Sequence, residues 1–155
     1  MTPEELMRQA ADLAVDNVAR GGGPFGAVIV KGGEIIARGV NRVTAQLDPT
    51  AHAEVNAIRE ACQRLGTFDL SGCEIYTSCE PCPMCLGAIY WARLERVYYA
   101  CTQADAAAID FDDQFIYQEL DRPKHARRLP MTELGREDAL RAFRAWSEKV
   151  DKTPY

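Results

Sequence analysis

The chain has 155 residues, of which 47% are hydrophobic and 26% charged. That length and composition fit one soluble globular domain and exclude a collagenous, disordered or disulfide-scaffold chain. Lys plus Arg is 18 and Asp plus Glu is 23, a net charge of −5, which argues against an extended phosphate-tracking surface and so against nucleic acid as a partner.

No uncharged apolar run approaches the roughly 20 residues that a bilayer span requires, so no membrane partner is expected. The opening residues Met1-Thr2-Pro3-Glu4-Glu5 carry neither a basic leader nor an apolar signal core, which makes the cytoplasm the expected location. In that compartment the six cysteines (Cys62, Cys73, Cys79, Cys82, Cys85 and Cys101) stay reduced. Metal binding or simple burial is then favoured over disulfides.

In chain order, Thr2 with Pro3 and Glu5 reads as a capped helix start, and Leu6, Ala10, Leu13, Ala14 and Val18 continue an apolar face as far as Arg20. Gly21-Gly22-Gly23-Pro24 ends it. Strands are predicted over 25–30 and 34–40, joined by a hairpin turn at Lys31-Gly32-Gly33. Asp48-Pro49-Thr50 offers a second helix start, followed by a helical pattern over 51–65 that Gly66 ends. A short strand over 73–77, a helix over 84–93 and a Val- and Tyr-rich strand over 96–101 follow. The signal then weakens, with short helices or loops over 103–120 and irregular chain over 121–135. The spacing of Leu140, Phe143, Trp146 and Val150 predicts a final helix over 136–150. Helices alternating with strands make this one layered α/β domain, in which an antiparallel hairpin opens a mixed sheet.

Two segments carry chemistry: His52-Ala53-Glu54 and Pro81-Cys82-Pro83-Met84-Cys85. Cys82 and Cys85 are three apart at a proline-marked helix start, so both sulfurs can face one point. The positive end of that helix favours their thiolate forms. With His52 they make a tetrahedral zinc site whose remaining position is open to water, and Glu54 can reach that water. A lone Cys-x-x-Cys is weak evidence, because redox and structural zinc sites share it. Joined to His-x-Glu across a helix end and a strand, it becomes the signature of the zinc-dependent nucleobase deaminases.

The chain resembles the bacterial guanine deaminases of the cytidine-deaminase-like family. The likeness runs through Gly22 to Val28, Asp48 to Val55 and Tyr76 to Arg93, blocks shared in part with cytosine and tRNA-adenosine deaminases. Phe111-Asp112-Asp113-Gln114-Phe115-Ile116-Tyr117 and a terminal tyrosine resemble the guanine-specific branch more closely. The match fades over 121–140, and Thr153-Pro154 departs from the family's lysine-rich ending.

The resemblance implies a three-layer α/β/α fold with a mixed central sheet of about five strands. It also implies a single domain over 1–155, with a C-terminal segment at about 136–155 exchanged between the subunits of a homodimer. The implied cofactor is one zinc ion with a catalytic water, held by His52, Cys82 and Cys85. The implied reaction is hydrolysis of guanine, a small purine base, to xanthine and ammonia. In it Glu54 moves the proton from water to the ring and Asp113 helps move protons to the leaving amine. Asn41 bonds the base edge, Phe25 packs on the ring and Ala53 offers a backbone contact. Trp91 and Tyr155 approach the partner's pocket.

Simpler meanings stand beside these. Asn41 suits a turn for its own reasons, Phe25 suits a core, Asp113 suits a solvated acidic patch and Trp91 suits a dimer core. Cys79 forms a second Cys-x-x-Cys with Cys82. It would either close the metal site as a fourth ligand, giving a structural zinc module without catalysis, or sit just behind it. The stiff Pro81 and Pro83 favour the latter. Cys62, Cys73 and Cys101 read as small buried hydrophobes. His125 and its basic neighbours read as solvated surface. Another amino-heterocycle or nucleoside remains an alternative substrate, with adenosine in tRNA disfavoured by the charge.

Overall fold

Thr2 begins the first helix by reciprocal bonding. Its hydroxyl accepts the Glu5 backbone N–H at 3.1 Å, while the Glu5 carboxylate accepts the Thr2 N–H at 2.8 Å. In the computed structural model, which describes Met1 to Tyr155, helix α1 then runs Pro3–Ala19. Strands β1 (Gly26–Lys31) and β2 (Glu34–Val40) form the expected hairpin. Gly32 and Gly33 both take positive φ at its turn, +59° and +79°, as a tight two-residue connection demands. Helix α2 (Val43–Gln46) precedes α3 (Ala53–Leu65), which Gly66 closes in the left-handed conformation.

Strand β3 (Cys73–Cys79) extends two residues past its predicted end. It leads to α4 (Pro83–Trp91) and to β4 (Arg96–Cys101). The sheet order is β2-β1-β3-β4, with only the β3–β4 pair parallel. The sheet therefore has four strands rather than about five. After Cys101 the chain turns helical, because Thr102 and Asp105 form a second reciprocal cap that starts α5 (Gln103–Ala107).

Alternation along β1 explains the layers. Ala27 and Ile29 point to a face shared with Ala53, Ala57 and Ala61 of α3 and Ile89 of α4. Val28 and Val30 point to the opposite face and meet Leu6 and Met7 of α1 with Tyr76 of β3. Two helical layers thus sandwich the sheet. The alanine stripe of α3 lets that helix lie close: a Cβ on Gly39 of β2 would strike the backbone of Ala53 and Ala57. The register puts Gly26 opposite Val40, Ala27 opposite Thr77 and Cys79 opposite Cys101. The start of β1 and the ends of β2, β3 and β4 therefore share one edge.

The chain divides into two compact units, Met1–Gln114 and Phe115–Tyr155. The second contains α6 (Gln114–Asp121) from its second residue onward, a 3₁₀ turn at Lys124–Ala126 and α7 (Arg136–Glu148). Arg127 organises its loop, donating to the carbonyls of Glu119 and Arg122 at 2.9 and 3.1 Å. No residue of α7 is buried, and Phe143 and Trp146 are exposed along its apolar side.

Ile29 is fully buried at the centre of the sheet. Ile29→Ala is expected to destabilise the first unit by about 3 kcal/mol, from lost transfer energy plus the cavity left behind. A lowered urea midpoint at unchanged slope is the measurement that checks it.

Candidate active site

Two helices begin at the shared edge of the sheet, and their N-caps are His52 for α3 and Cys82 for α4. Ser, Thr, Asp or Asn usually holds such a position and bonds the first turn. His52 makes no side-chain cap, so its ring is left to face the other helix. Its Nδ1 stands 3.5 Å from Cys82 Sγ and 3.4 Å from Cys85 Sγ, and all three atoms lie within 4.8 Å of one another. Bonds of about 2.1 Å to nitrogen and 2.3 Å to sulfur at the tetrahedral angle separate N and S by about 3.5 Å, so this donor set fits zinc.

Electrostatics favour the same occupant. Hydrogen bonds from the Cys85 thiol and from His52 lower Cys82 to about 4, making it a thiolate. Cys85 is pushed up, first by its hydrogen bond to Cys82 and then by burial. A divalent cation removes that conflict, because it stabilises both sulfurs as thiolates. The hydrogen bond to Cys82 raises His52 in turn.

Beside this group lies a cavity of about 440 Å³ lined by His52, Cys82 and Glu54. Glu54, in the first turn of α3, is only 6% exposed, and burial raises its carboxyl to about 7. Four more acidic residues, Glu80, Asp110, Asp112 and Asp113, line the same space, and no lysine or arginine does. Burial also raises Asp113. Asp110 holds a positive φ of 70°, uncommon outside glycine, at the turn that presents this acidic run.

Asn41 and Phe25 also line the cavity. The Asn41 side-chain oxygen accepts the Val43 N–H at 3.2 Å, which leaves its amide nitrogen as the free donor. The Phe25 ring meets the edge of Phe111 at 5.0 Å and 89°, closing an aromatic wall. Of the sequence-derived set, His52, Glu54, Cys82, Asn41, Phe25 and Asp113 thus gather around one space. Cys85 completes the donor group, while Ala53 lies fully buried between His52 and Glu54. Trp91, 65% exposed at the end of α4, does not line this chain's cavity, and Tyr155 is exposed within the second unit.

Cys79 stands outside the donor group. Its thiol lies 3.7 Å from the Thr102 carbonyl, and burial raises it to about 11. Contrary to expectation, Cys101 is exposed. The sequence alone assigns no role to Glu80 or Gln103, and it places Phe111 only within the run that resembles the guanine-specific branch. The Glu80 carboxylate accepts the Gln103 backbone N–H at 3.1 Å and its side-chain amide at 3.3 Å, fastening the start of α5 to the end of β3. The only available signal was their closeness to the cysteine cluster and to the Phe-Asp-Asp run.

Residues 1–101 match the cytidine and deoxycytidylate deaminase zinc-binding region. The chain belongs to that deaminase family. The guanine deaminase of Bacillus subtilis is 53% identical over the full length of both proteins. Its crystal structure superposes with a TM-score of 0.97, covering 100% of this chain and 99% of that one. The tRNA-specific adenosine deaminase of Aquifex aeolicus is 46% identical over 64% of this chain and 66% of its own length. A guanine deaminase from Nitrosomonas europaea, 37% identical, superposes with a TM-score of 0.71 over 80% of this chain and 69% of that chain. The fold is accordingly the α/β cytidine-deaminase-like fold of a zinc-binding family, and the His52, Cys82 and Cys85 group is able to hold one metal ion.

A zinc deaminase site with three protein ligands has a direct test. Cys82→Ser is expected to lose most bound zinc, whereas Cys79→Ser keeps about one zinc per chain, because Cys79 is not a ligand. Metal content after gel filtration against a weak chelator distinguishes the two.

Proposed function

We propose that this chain hydrolyses guanine to xanthine and ammonia in purine salvage or breakdown. The observation that carries the proposal is one cavity that brings a three-ligand zinc site and a buried carboxylate together with an amide and an aromatic face. The full-length likeness to the Bacillus subtilis guanine deaminase supports guanine over other amino-heterocycles. Zinc held by His52, Cys82 and Cys85 supplies Lewis acidity, which brings the ionisation of water into the neutral range.

The remaining work falls to the chain's own side chains. Glu54 holds the proton taken from water and returns it to a ring nitrogen beside the amine-bearing carbon. Its buried position suits that task, since a carboxyl shifted towards neutrality can both accept and release a proton. Asp113 moves a proton to the departing amine. Asn41 donates to the base edge, Phe25 packs against the ring, and Ala53 contributes its backbone.

Acidic lining also bears on substrate charge. Five carboxylic residues and no lysine or arginine offer nothing to a phosphate group, so the substrate is an uncharged base rather than a nucleotide or a tRNA. We further infer a homodimer that exchanges the segment at about 136–155, with Trp91 and Tyr155 near the partner's cavity. Exposed Tyr90 and Trp91 on α4, and an α7 without buried residues, support it. A cytoplasmic location accords with six free cysteines.

Glu54→Gln is expected to retain zinc and to lose ~10²–10⁴-fold in kcat for guanine, the usual range for removing a proton carrier. Ammonia release paired with metal content measures both, and near-normal turnover would remove Glu54 from the mechanism. Guanosine monophosphate is expected to release no ammonia under conditions that turn guanine over; release at a comparable rate would refute the charge argument.

A further inference from the structure

The amphipathic pattern of α1 gives Asn17 no task, yet its side chain is turned inward and only 7% exposed. The amide nitrogen donates to two carbonyl oxygens at 2.8 Å each, one of Gly23 and one of Asn41. Both recipients line the cavity. The Gly22 N–H in turn bonds the Asn17 carbonyl at 2.8 Å, so the helix end, the glycine loop and the end of β2 are drawn to one residue. Sequence separations of 6 and 24 residues make this a tertiary clamp rather than a helix cap.

We propose that Asn17 is a positioning residue for the base-binding edge of the cavity, acting by fixing the backbone of Asn41. This rests on the proposal above that Asn41 meets the substrate. Asn41 has few other restraints on its side of the sheet edge. Its N–H reaches the Phe25 carbonyl at a long 3.3 Å, and its side-chain oxygen is tied to Val43 at 3.2 Å. The Asn17 bond is the shortest of the three, and it comes from the last turn of α1.

The glycines beside it are shaped to admit it. A Cβ on Gly22 would run into the Asn17 amide, and one on Gly23 would come within 3.0 Å of Asn41 Cγ. A neutral amide also suits the place. It supplies two donors to two buried carbonyls, whereas a lysine would add a positive charge beside a cavity lined by carboxylates.

The experiment compares Asn17→Ala, the isosteric Asn17→Asp, Asn41→Ala and the Asn17→Ala/Asn41→Ala pair, each zinc-loaded and checked for folding by circular dichroism. Loss of a buried hydrogen bond to the substrate-binding edge is expected to raise KM for guanine about tenfold in Asn17→Ala, with kcat changed much less. Asn17→Asp, which turns a carboxylate towards two carbonyls, raises KM at least as far. Zinc content stays at the wild-type level. In the Asn41→Ala background the Asn17 substitution adds nothing further, the non-additivity that distinguishes positioning from a general loss of stability.

An unchanged KM in folded Asn17→Ala, or effects that simply add, overturns the inference while leaving the role of Asn41 intact. An unchanged KM in Asn41→Ala instead overturns the role of Asn41, and the inference with it. Wild-type protein gives a readout that no folding defect can obscure. The Asn17 side-chain amide NMR signals are expected to be protected from exchange and to shift on titration with xanthine; rapid exchange or no shift counts against the clamp.

Discussion

Two helices aim their N-termini at one point, and the rest of the site depends on that convergence. Each end carries a metal-donor side chain at the N-cap itself, His52 on α3 and Cys82 on α4, where the chain is leaving extended conformation. The partial positive charge of two helix ends meets at a pair of sulfurs, which favours thiolates before any metal is considered. The sheet makes the meeting possible. Because β1 is antiparallel to both neighbours, its start and the ends of β2 and β3 coincide, and the loops leaving them open onto the same space. Close packing of α3 on Gly39 then sets the depth at which His52 and Glu54 enter.

This arrangement places charge where folding alone would avoid it. Burying an ionisable carboxyl raises its pKa and costs stability when it ionises, and Glu54 shows that shift to about 7. Two cysteines in contact cannot both ionise cheaply, as the opposed shifts of Cys82 and Cys85 show. The expense is compensated elsewhere by ordinary means. A fully buried apolar layer of Ala27, Ile29, Ile75 and Leu70 lies under the site, and reciprocal caps fix α1 and α5. The site's cost falls on side chains whose chemistry uses it, while the scaffold keeps to standard packing.

The metal ligands were legible in the sequence because each half of the motif is local. Three consecutive residues bring His52 and Glu54 to a helix start, and a three-residue step brings Cys82 to Cys85. The hairpin was legible for the same reason, since Gly32-Gly33 lies between alternating strands. Helix α2 is not legible, because four residues with no side-chain cap leave no periodic trace. The extra strand expected from the resemblance is absent because Thr102 and Asp105 commit the chain to helix after Cys101. Phe111, Glu80 and Gln103 act through loops whose course only tertiary packing decides. Asn17 was least legible of all, since on a helical wheel it is one more polar residue of an amphipathic helix.

The carboxylic side chains lining the cavity meet no lysine or arginine there, and at the end of β2 the groups that hold the backbone in place are amides. Asn17 bonds the carbonyl of Asn41, while Asn56 of α3 bonds the carbonyls of Val40 and Ala51 at 2.8 and 3.3 Å. Successive carbonyls at the end of β2 are thus held from opposite helical layers, and Ala51 leads directly into His52. Amide donors reach these oxygens without adding a fixed charge to the acidic wall of the cavity. The cavity wall accordingly carries five carboxylic side chains and no lysine or arginine that could pair with a phosphate group.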